Sequence, residues 1–160
     1  MIEENSDRKI AVIFATDVVG YSKAIENNET QTLKNLKECR NILDNLILKY
    51  KGRIFNTAGD SVLAEFSSAV SAIECATLFQ TKIRDRNSSA KDLEIMEFRI
   101  GINIGDVVID GKNLYGEGVN IAARLESFAQ PNGLSISKSL FDLIEGKTQN
   151  KFRDLGIQKI

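Results

Sequence analysis

Two aspartates, each set beside a glycine where an apolar run ends, are the residues of this chain best suited to chemistry. Asp17 lies in Phe14-Ala15-Thr16-Asp17-Val18-Val19-Gly20-Tyr21-Ser22, and Asp60 in Asn56-Thr57-Ala58-Gly59-Asp60-Ser61. Carboxylates at strand ends can hold oxygen-seeking divalent cations against phosphate oxygens. The backbone N–H groups that follow Asp17, at Gly20, Tyr21 and Ser22, open a helical stretch and suit an anion. A third segment, Gly116-Glu117-Gly118-Val119-Asn120-Ile121-Ala122-Ala123-Arg124-Leu125-Glu126, sets Asn120 and Arg124 at i and i+4, on one helix face. Such an Asn can orient a hydroxyl, and such an Arg can clamp a phosphate.

Taken singly, each feature has a plainer reading. Asp17 could be a capping or turn aspartate, Asp60 ordinary hairpin chemistry, and Arg124 a solvated surface residue. Taken jointly they say more. If the first strand and the second, Arg53–Thr57, are neighbours in the sheet, both carboxylates reach one sheet end and repel, and a divalent cation relieves that repulsion.

Composition removes competing chemistries. The chain has 160 residues and no histidine, which excludes Ser-His-Asp and Cys-His nucleophiles, histidine zinc sites and histidine acid-base catalysis. Metal-assisted phosphoryl chemistry survives, because positioning and charge neutralisation carry most of it. A net charge of -1, from 21 basic and 22 acidic residues, gives no electrostatic footprint for nucleic acid. The longest apolar run, Ile10 to Ala15, is far too short to span a membrane. The acidic N-terminus lacks the pattern of a secretory signal, so a cytoplasmic location is expected. Cys39 and Cys75 fall within apolar helical patterns and are expected to be buried structural thiols.

The elements that must position these residues follow from periodicity. Lys9–Ala15 is apolar on both faces, which predicts a central, doubly covered strand. A long helix is expected from about Ser22 to Tyr50, with a stripe of Leu33, Leu36, Cys39, Leu43, Leu46, Ile47 and Tyr50 ended by Gly52. Strands Arg53–Thr57 and Ser61–Phe66 form a hairpin through Ala58-Gly59-Asp60. A second helix, capped by Ser67 or Ser68, buries Ala69, Ala72, Ile73, Ala76, Phe79 and Ile83. Arg84–Asp92 reads as a long polar loop. Phe98–Ile104 and Asp106–Ile109 read as a strand pair turned near Gly105. A helix from about Glu117 to Ala129 packs through Ile121, Leu125 and Phe128, and Pro131-Asn132-Gly133 closes it. Leu134–Ser137 is a short strand, Leu140–Ile144 a short helix, and another strand pair is expected to begin near Ile160. The order predicts an α+β fold, a ferredoxin-like antiparallel sheet sandwich with helices packed on the sheet, as one domain over 1–160.

With these motifs in place, the chain resembles the catalytic domain of class III adenylate and guanylate cyclases, its bacterial branch most closely. The Asp17 context, Asp60 after Ala58-Gly59, and Val119-Asn120-Ile121-Ala122-Ala123-Arg124-Leu125-Glu126 carry the resemblance, which runs from about Lys9 to the C-terminus. The resemblance implies that Asp17, Asp60 and the Val18 carbonyl hold two Mg2+ or Mn2+ ions. It further implies that Asn120 positions the ribose and Arg124 stabilises charge on the reacting phosphate. The implied partners are a nucleoside triphosphate and a second copy, in a head-to-tail homodimer whose active sites take the aspartates from one subunit and Asn and Arg from the other. The implied reaction is attack of the ribose 3′-oxygen on the α-phosphate, giving a cyclic nucleotide and pyrophosphate. The segment is then expected to be part of a longer chain.

The base pocket departs from the family pattern. Adenylate cyclases of this type carry Lys four positions before the second aspartate and Asp or Thr seven before the ribose-orienting Asn. Guanylate-selective relatives show Glu and Cys or another small residue. Asn56 and Asn113 stand at those positions here, and an asparagine amide can match either purine. Adenine is the expectation from family frequency, with a guanylate cyclase, or a weak or inactive nucleotide-binding and dimerising module, as alternatives. A diguanylate-cyclase-like activity would need a second acid after Asp60, where Ser61 and Val62 stand. The late phosphate-binding lysine of the family has Lys159 as its nearest counterpart.

Overall fold

The apolar alternation near the start of the chain becomes the axis of the molecule. In the computed structural model, which describes residues 7–156, strand β1 covers Arg8–Val18 and is buried continuously from Ala11 to Thr16. Successive β1 side chains serve opposite faces of the sheet. Val12, Phe14 and Val18 join the larger core, while Ala11, Ile13 and Ala15 join a smaller one on the other face.

Helices α1 (Tyr21–Asn27) and α2 (Glu29–Lys49) follow β1, then the hairpin β2 (Arg53–Ala58) and β3 (Ser61–Phe66) and helix α3 (Ala69–Ser88). Beyond a 3-10 turn at Asp92–Glu94 come β4 (Phe98–Asp110), β5 (Asn113–Tyr115), α4 (Glu117–Phe128), β6 (Leu134–Ile136) and α5 (Lys138–Ile144). The sheet order is β2-β3-β1-β4-β5, antiparallel throughout, and β6 adds a short parallel pairing to β4. The α+β class and the antiparallel sheet are thus as expected, and β1 is central. Residues of α2, α3 and α5 pack on one face through Leu43, Ile73, Phe79 and Leu140, and α4 covers β1 and β4 on the other. Among the described residues no helix is long and apolar enough to cross a membrane.

Four expectations are corrected. The long first helix breaks at Asn28, whose extended backbone ends α1 and whose side chain caps α2 by accepting from the Gln31 N–H at 3.1 Å. Leu33 then faces solvent, and Thr32 and Asn35 take its place inward. The polar stretch 84–92 is helical as far as Ser88, because Arg86 and Asn87 there spend their polar groups on the Glu94 and Met96 carbonyls instead of on water.

The fourth concerns Gly105, which makes no turn. It sits inside one thirteen-residue strand, paired with Ala11, and the reversal comes at Gly111, in the left-handed region at φ 61°. Gly105 instead packs closely under α4: a Cβ there would lie 3.1 Å from the Asn103 amide nitrogen and 3.2 Å from the Gly118 Cα. Lys159 and the strand pair expected near Ile160 lie outside the described residues.

Cys39 and Cys75 are buried and free. Burial pushes their thiols up to about 11 and about 12 respectively, far from reactivity near neutral pH.

Candidate active site

The end of β1 and the β2–β3 turn meet at one edge of the sheet. Thr16 donates its hydroxyl to the Arg99 carbonyl at 2.7 Å, and the ladder pairs Asp17 with Arg99 and Val18 with Phe98. Gly59, at φ 58°, turns the hairpin so that Asp60 Oδ2 accepts the Val18 N–H at 2.9 Å. Both aspartates therefore sit at the same sheet end, half-buried, although β2 is not the neighbour of β1 that the joint reading assumed. The strand beside β1 is β3, and the turn that precedes it carries Asp60 across.

Beyond Val18, Val19 N–H bonds the Glu97 carbonyl and Gly20 takes a left-handed conformation at φ 64°. Gly20 precedes α1 without any side-chain cap, so the first-turn N–H groups at Tyr21 and Ser22 have no partner within their own helix. The Tyr21 phenol is raised above its usual value by burial first, then by the negative charges of Asp60 and Glu29.

Two residues at this site were not singled out from sequence. Arg99 Nη2 reaches both Asp17 oxygens at 3.3 and 3.4 Å, and its Nε is buried without a partner. Glu126 on α4 is only 8% exposed. Burial first, then the influence of the Asp17 carboxylate, push its carboxyl up to about 8, against the opposing pull of Arg99. Each carried a faint signal. Arg99 is a charge in a strand otherwise read as apolar, and Glu126 falls in the stripe Gly118, Val119, Ala122 and Leu125 that α4 buries.

Asn120 and Arg124 stand elsewhere. Both are exposed on α4, and neither side chain hydrogen-bonds another described residue. At about 100° per residue, Arg124 is about 200° around the helix from Glu126, so it looks away from the carboxylates of its own chain. A buried Asn103 pins the first turn of α4 by donating to the Gly118 carbonyl at 3.1 Å. The remaining candidates lie at the sheet's far strands. Asn56 is exposed on β2, next to a bulge between Ile54 and Asn56 that re-aims it. Asn113 is engaged: its Oδ1 accepts from the Leu114 N–H and its Nδ2 donates to the Tyr115 hydroxyl, both at 2.9 Å. Arg53 connects these two regions by donating to the Lys112 carbonyl at 2.6 Å.

The donor set at Asp17 and Asp60 is all oxygen and suits Mg2+ or Mn2+ better than a softer metal. Arg99 pairs with Asp17, while Asp60 spends one oxygen on the Val18 N–H. Among the described residues no three acids, cysteines or histidines converge closely enough to hold a cation alone. A cation here would need a backbone carbonyl, water or phosphate to complete its shell.

The family model for the adenylate and guanylate cyclase catalytic domain matches residues 2–160. The chain belongs to this family. A Rhizobium meliloti (strain 1021) protein provisionally named adenylate cyclase 3 is 37% identical over 161 residues, covering 100% of this chain and 27% of that protein. An adenylate cyclase of Streptomyces coelicolor is 33% identical over 135 residues, covering 84% of this chain and 34% of its own length. The chain thus spans about a quarter to a third of these cyclase relatives. Among solved structures, an adenylate/guanylate cyclase/hydrolase from Silicibacter pomeroyi superposes with a TM-score of 0.90 at 36% identity, over 97% of this chain and 91% of that one.

Proposed function

We propose that this cyclase-family domain converts ATP to 3′,5′-cyclic AMP and pyrophosphate, in active sites shared between two copies. The observation that carries the reading is the Val18–Asp60 hydrogen bond, which sets both aspartates at one sheet end while Asn120 and Arg124 look outward. A chain built this way cannot bring its own Arg124 to a phosphate held by its own aspartates. A second copy, packed head to tail, can. Half-buried Phe55, Leu63 and Ile109 flank the apolar cluster under α4 and extend it toward β2 and β3.

Asp17, Asp60 and the Val18 carbonyl would hold two Mg2+ or Mn2+ ions. When bound, these ions would neutralise the triphosphate and make the ribose 3′-hydroxyl easier to deprotonate. Arg99 contacts Asp17 at distances long for a charge-assisted bond, so a divalent cation competes well for the same oxygens. The free N–H groups of Gly20, Tyr21 and Ser22 would meet phosphate oxygens. From the partner, Asn120 would orient the ribose, and Arg124 would stabilise the charge that grows on the α-phosphate as the 3′-oxygen bonds to it and pyrophosphate leaves. Asn56 and Asn113 would face the base. Adenine is supported by the names of the two curated relatives. The alternative, a guanylate cyclase or a binding module of low activity, draws on Asn113 being already engaged by its own strand.

The test incubates the purified chain with ATP or GTP and Mn2+ or Mg2+, beside Asp17→Asn and Arg124→Ala, and measures cyclic product by mass spectrometry. Cyclic AMP from the parent and none from either variant is expected. No cyclic product from the parent, or undiminished product from both variants, refutes the reading.

A further inference from the structure

We propose that Arg53 is a positioning residue for base selection: it ties the strand that carries Asn56 to the turn that carries Asn113, and so holds the two amides at one separation. The inference rests on the reading in which Asn56 and Asn113 face the base. Its basis is a contact that strand pairing does not supply. In the order β2-β3-β1-β4-β5, β2 and β5 are the two edges of the sheet. Were the sheet flat, four strand spacings of about 4.8 Å would part those edges by about 19 Å. Yet Arg53 Nη1 donates to the Lys112 carbonyl at 2.6 Å. Twist curls the sheet until its edges meet across one side chain.

Both ends of this tie are fixed. The Lys112 carbonyl belongs to the same planar peptide unit as the Asn113 backbone nitrogen, so holding one holds the other. On the β2 side, Arg53 Nε and Nη2 both donate to Glu65 Oε1, at 2.9 and 2.6 Å, and Lys9 holds the other Glu65 oxygen at 3.0 Å. Arg53 stands opposite Glu65 in the ladder, and the register shift between Ile54 and Asn56 follows it. It therefore anchors β2 on the regular side of the bulge whose far side is Asn56. A cross-strand ion pair alone accounts for the bonds to Glu65, and Lys9 shows that a lysine can make one. It leaves the bond to Lys112 unexplained. A planar guanidinium serves Glu65 and Lys112 at once in a fixed fork, which an ammonium on a flexible stem cannot. Each asparagine amide can match either purine, so the discrimination open to the pair lies in where they stand relative to each other. That separation is what Arg53 sets.

The test measures, by calorimetry in Mn2+, the affinity of the chain for 3′-deoxy-ATP and 3′-deoxy-GTP, which lack the attacking oxygen, and for tripolyphosphate, which lacks the base. Arg53→Lys is expected to weaken the tighter of the two nucleotides by about 3- to 10-fold, the worth of one hydrogen bond. Its affinity for tripolyphosphate is expected to stay within about 2-fold of the parent, as for independent sites. In an Asn113→Ala background, Arg53→Lys is expected to add less than about 2-fold, because the group it acts through is gone. Arg53→Met, with a stem of similar length and no donor, replaces the lysine variant should that one fail to fold. Unchanged nucleotide affinity, equal weakening toward tripolyphosphate, or full additivity with Asn113→Ala overturns the proposal. If Asn113→Ala binds both nucleotides like the parent, or the parent binds them no better than tripolyphosphate, the reading of the base pocket falls and Arg53's role with it. Loss in Asn113→Ala with none in Arg53→Lys defeats the Arg53 proposal alone. Cyclic product from ATP is scored separately, so the expected binding without turnover refutes the cyclase reading and upholds the role of Arg53.

Discussion

Asp60 Oδ2 accepts the backbone N–H of Val18 at 2.9 Å, across 42 residues of sequence. One carboxylate is thereby tied to the residue that follows the other, and their spacing is set by the chain itself. Asp60→Asn keeps an acceptor oxygen for Val18 and loses the charge. Asp60→Ala loses both. Cyclisation should fall by about 100-fold or more in each. Only the alanine variant should also lose about 1 kcal/mol of stability, the typical worth of a hydrogen bond. Product yield and thermal midpoint, measured on the same samples, separate the two effects. An asparagine variant that kept a tenth or more of parental activity would show that Asp60's charge is dispensable.

Arg124 and Glu126 occupy nearly opposite sides of α4, one exposed and one buried. If two copies share each site, then Asp17→Asn and Arg124→Ala are complementary lesions. Mixed dimers contain one intact site and one site carrying both lesions. Half of all randomly paired dimers are mixed, so an equimolar mixture should recover about a quarter of parental activity. Each variant alone should be near background. A mixture no more active than its components would rule out sharing of these two residues.

Gly101 is where α4 lies hardest against the sheet. Its added Cβ would meet main-chain atoms of Glu126 and Ala122, which cannot swing aside as a side chain would. Gly101→Ala should therefore lift α4 or unfold the chain, at about 1–3 kcal/mol or more, the usual cost of overpacking. Activity should fall further than stability, because Asn120 and Arg124 ride on the same helix. Gly20→Ala is the contrast: a Cβ there meets nothing within 4 Å, and only the left-handed backbone resists it. A Gly101→Ala variant with parental thermal midpoint and turnover would show that the helix has slack.

Glu65 gives the fold a pH dependence away from the site. It accepts from Arg53 of β2 at 2.6 Å and pairs with Lys9 of β1 at 3.0 Å, so one carboxylate staples three strands. Burial pushes its carboxyl up, but the hydrogen bonds and charges of Arg53 and Lys9 outweigh it and hold the group below its ordinary value. A lowered folded value means that the contribution is present above the unfolded carboxylate range, about 4.3, and is lost as pH falls through the folded value. The cations are 43% and 44% exposed, so screening limits the effect to about 1 kcal/mol or less. Glu65→Gln should lower the thermal midpoint at pH 7 and flatten its decline below pH 4.3. An unchanged acid slope would exclude the staple.

Much of this was legible from residue types. The alternation of Ile10 to Ala15 gave the central strand, and Gly59-Asp60 gave the turn that brings the second acid to it. Other features were hidden because one residue type has several uses. Gly105 was expected to mark a reversal, but it lies mid-strand under the close approach of α4. Asn28 broke a helix whose apolar spacing continued smoothly through it. Arg99 and Glu126 were missed because a charge inside an apolar stripe has no local partner to announce it. Asp17 is 82 residues from Arg99, and only the β1–β4 ladder makes them neighbours.

Asn113 offers the sharpest question about the base. Its amide is held on both sides, by the Leu114 N–H and by the Tyr115 hydroxyl, so it presents a fixed orientation in which one N–H remains free. Asn113→Asp replaces that donor with an acceptor. An acceptor suits the exocyclic amino group of adenine and repels the carbonyl oxygen of guanine. If Asn113 faces the base, the ratio of kcat/KM for ATP over GTP should rise about tenfold, the worth of one such contact at 1.4 kcal/mol. Tyr115→Phe removes one of the two restraints and loosens the amide, which should shrink whatever preference the parent shows. Tyr115 is 42% exposed, so its loss should leave the thermal midpoint near parental. A ratio that ignores both substitutions would place Asn113 outside the base pocket and leave the exposed Asn56 to make the choice.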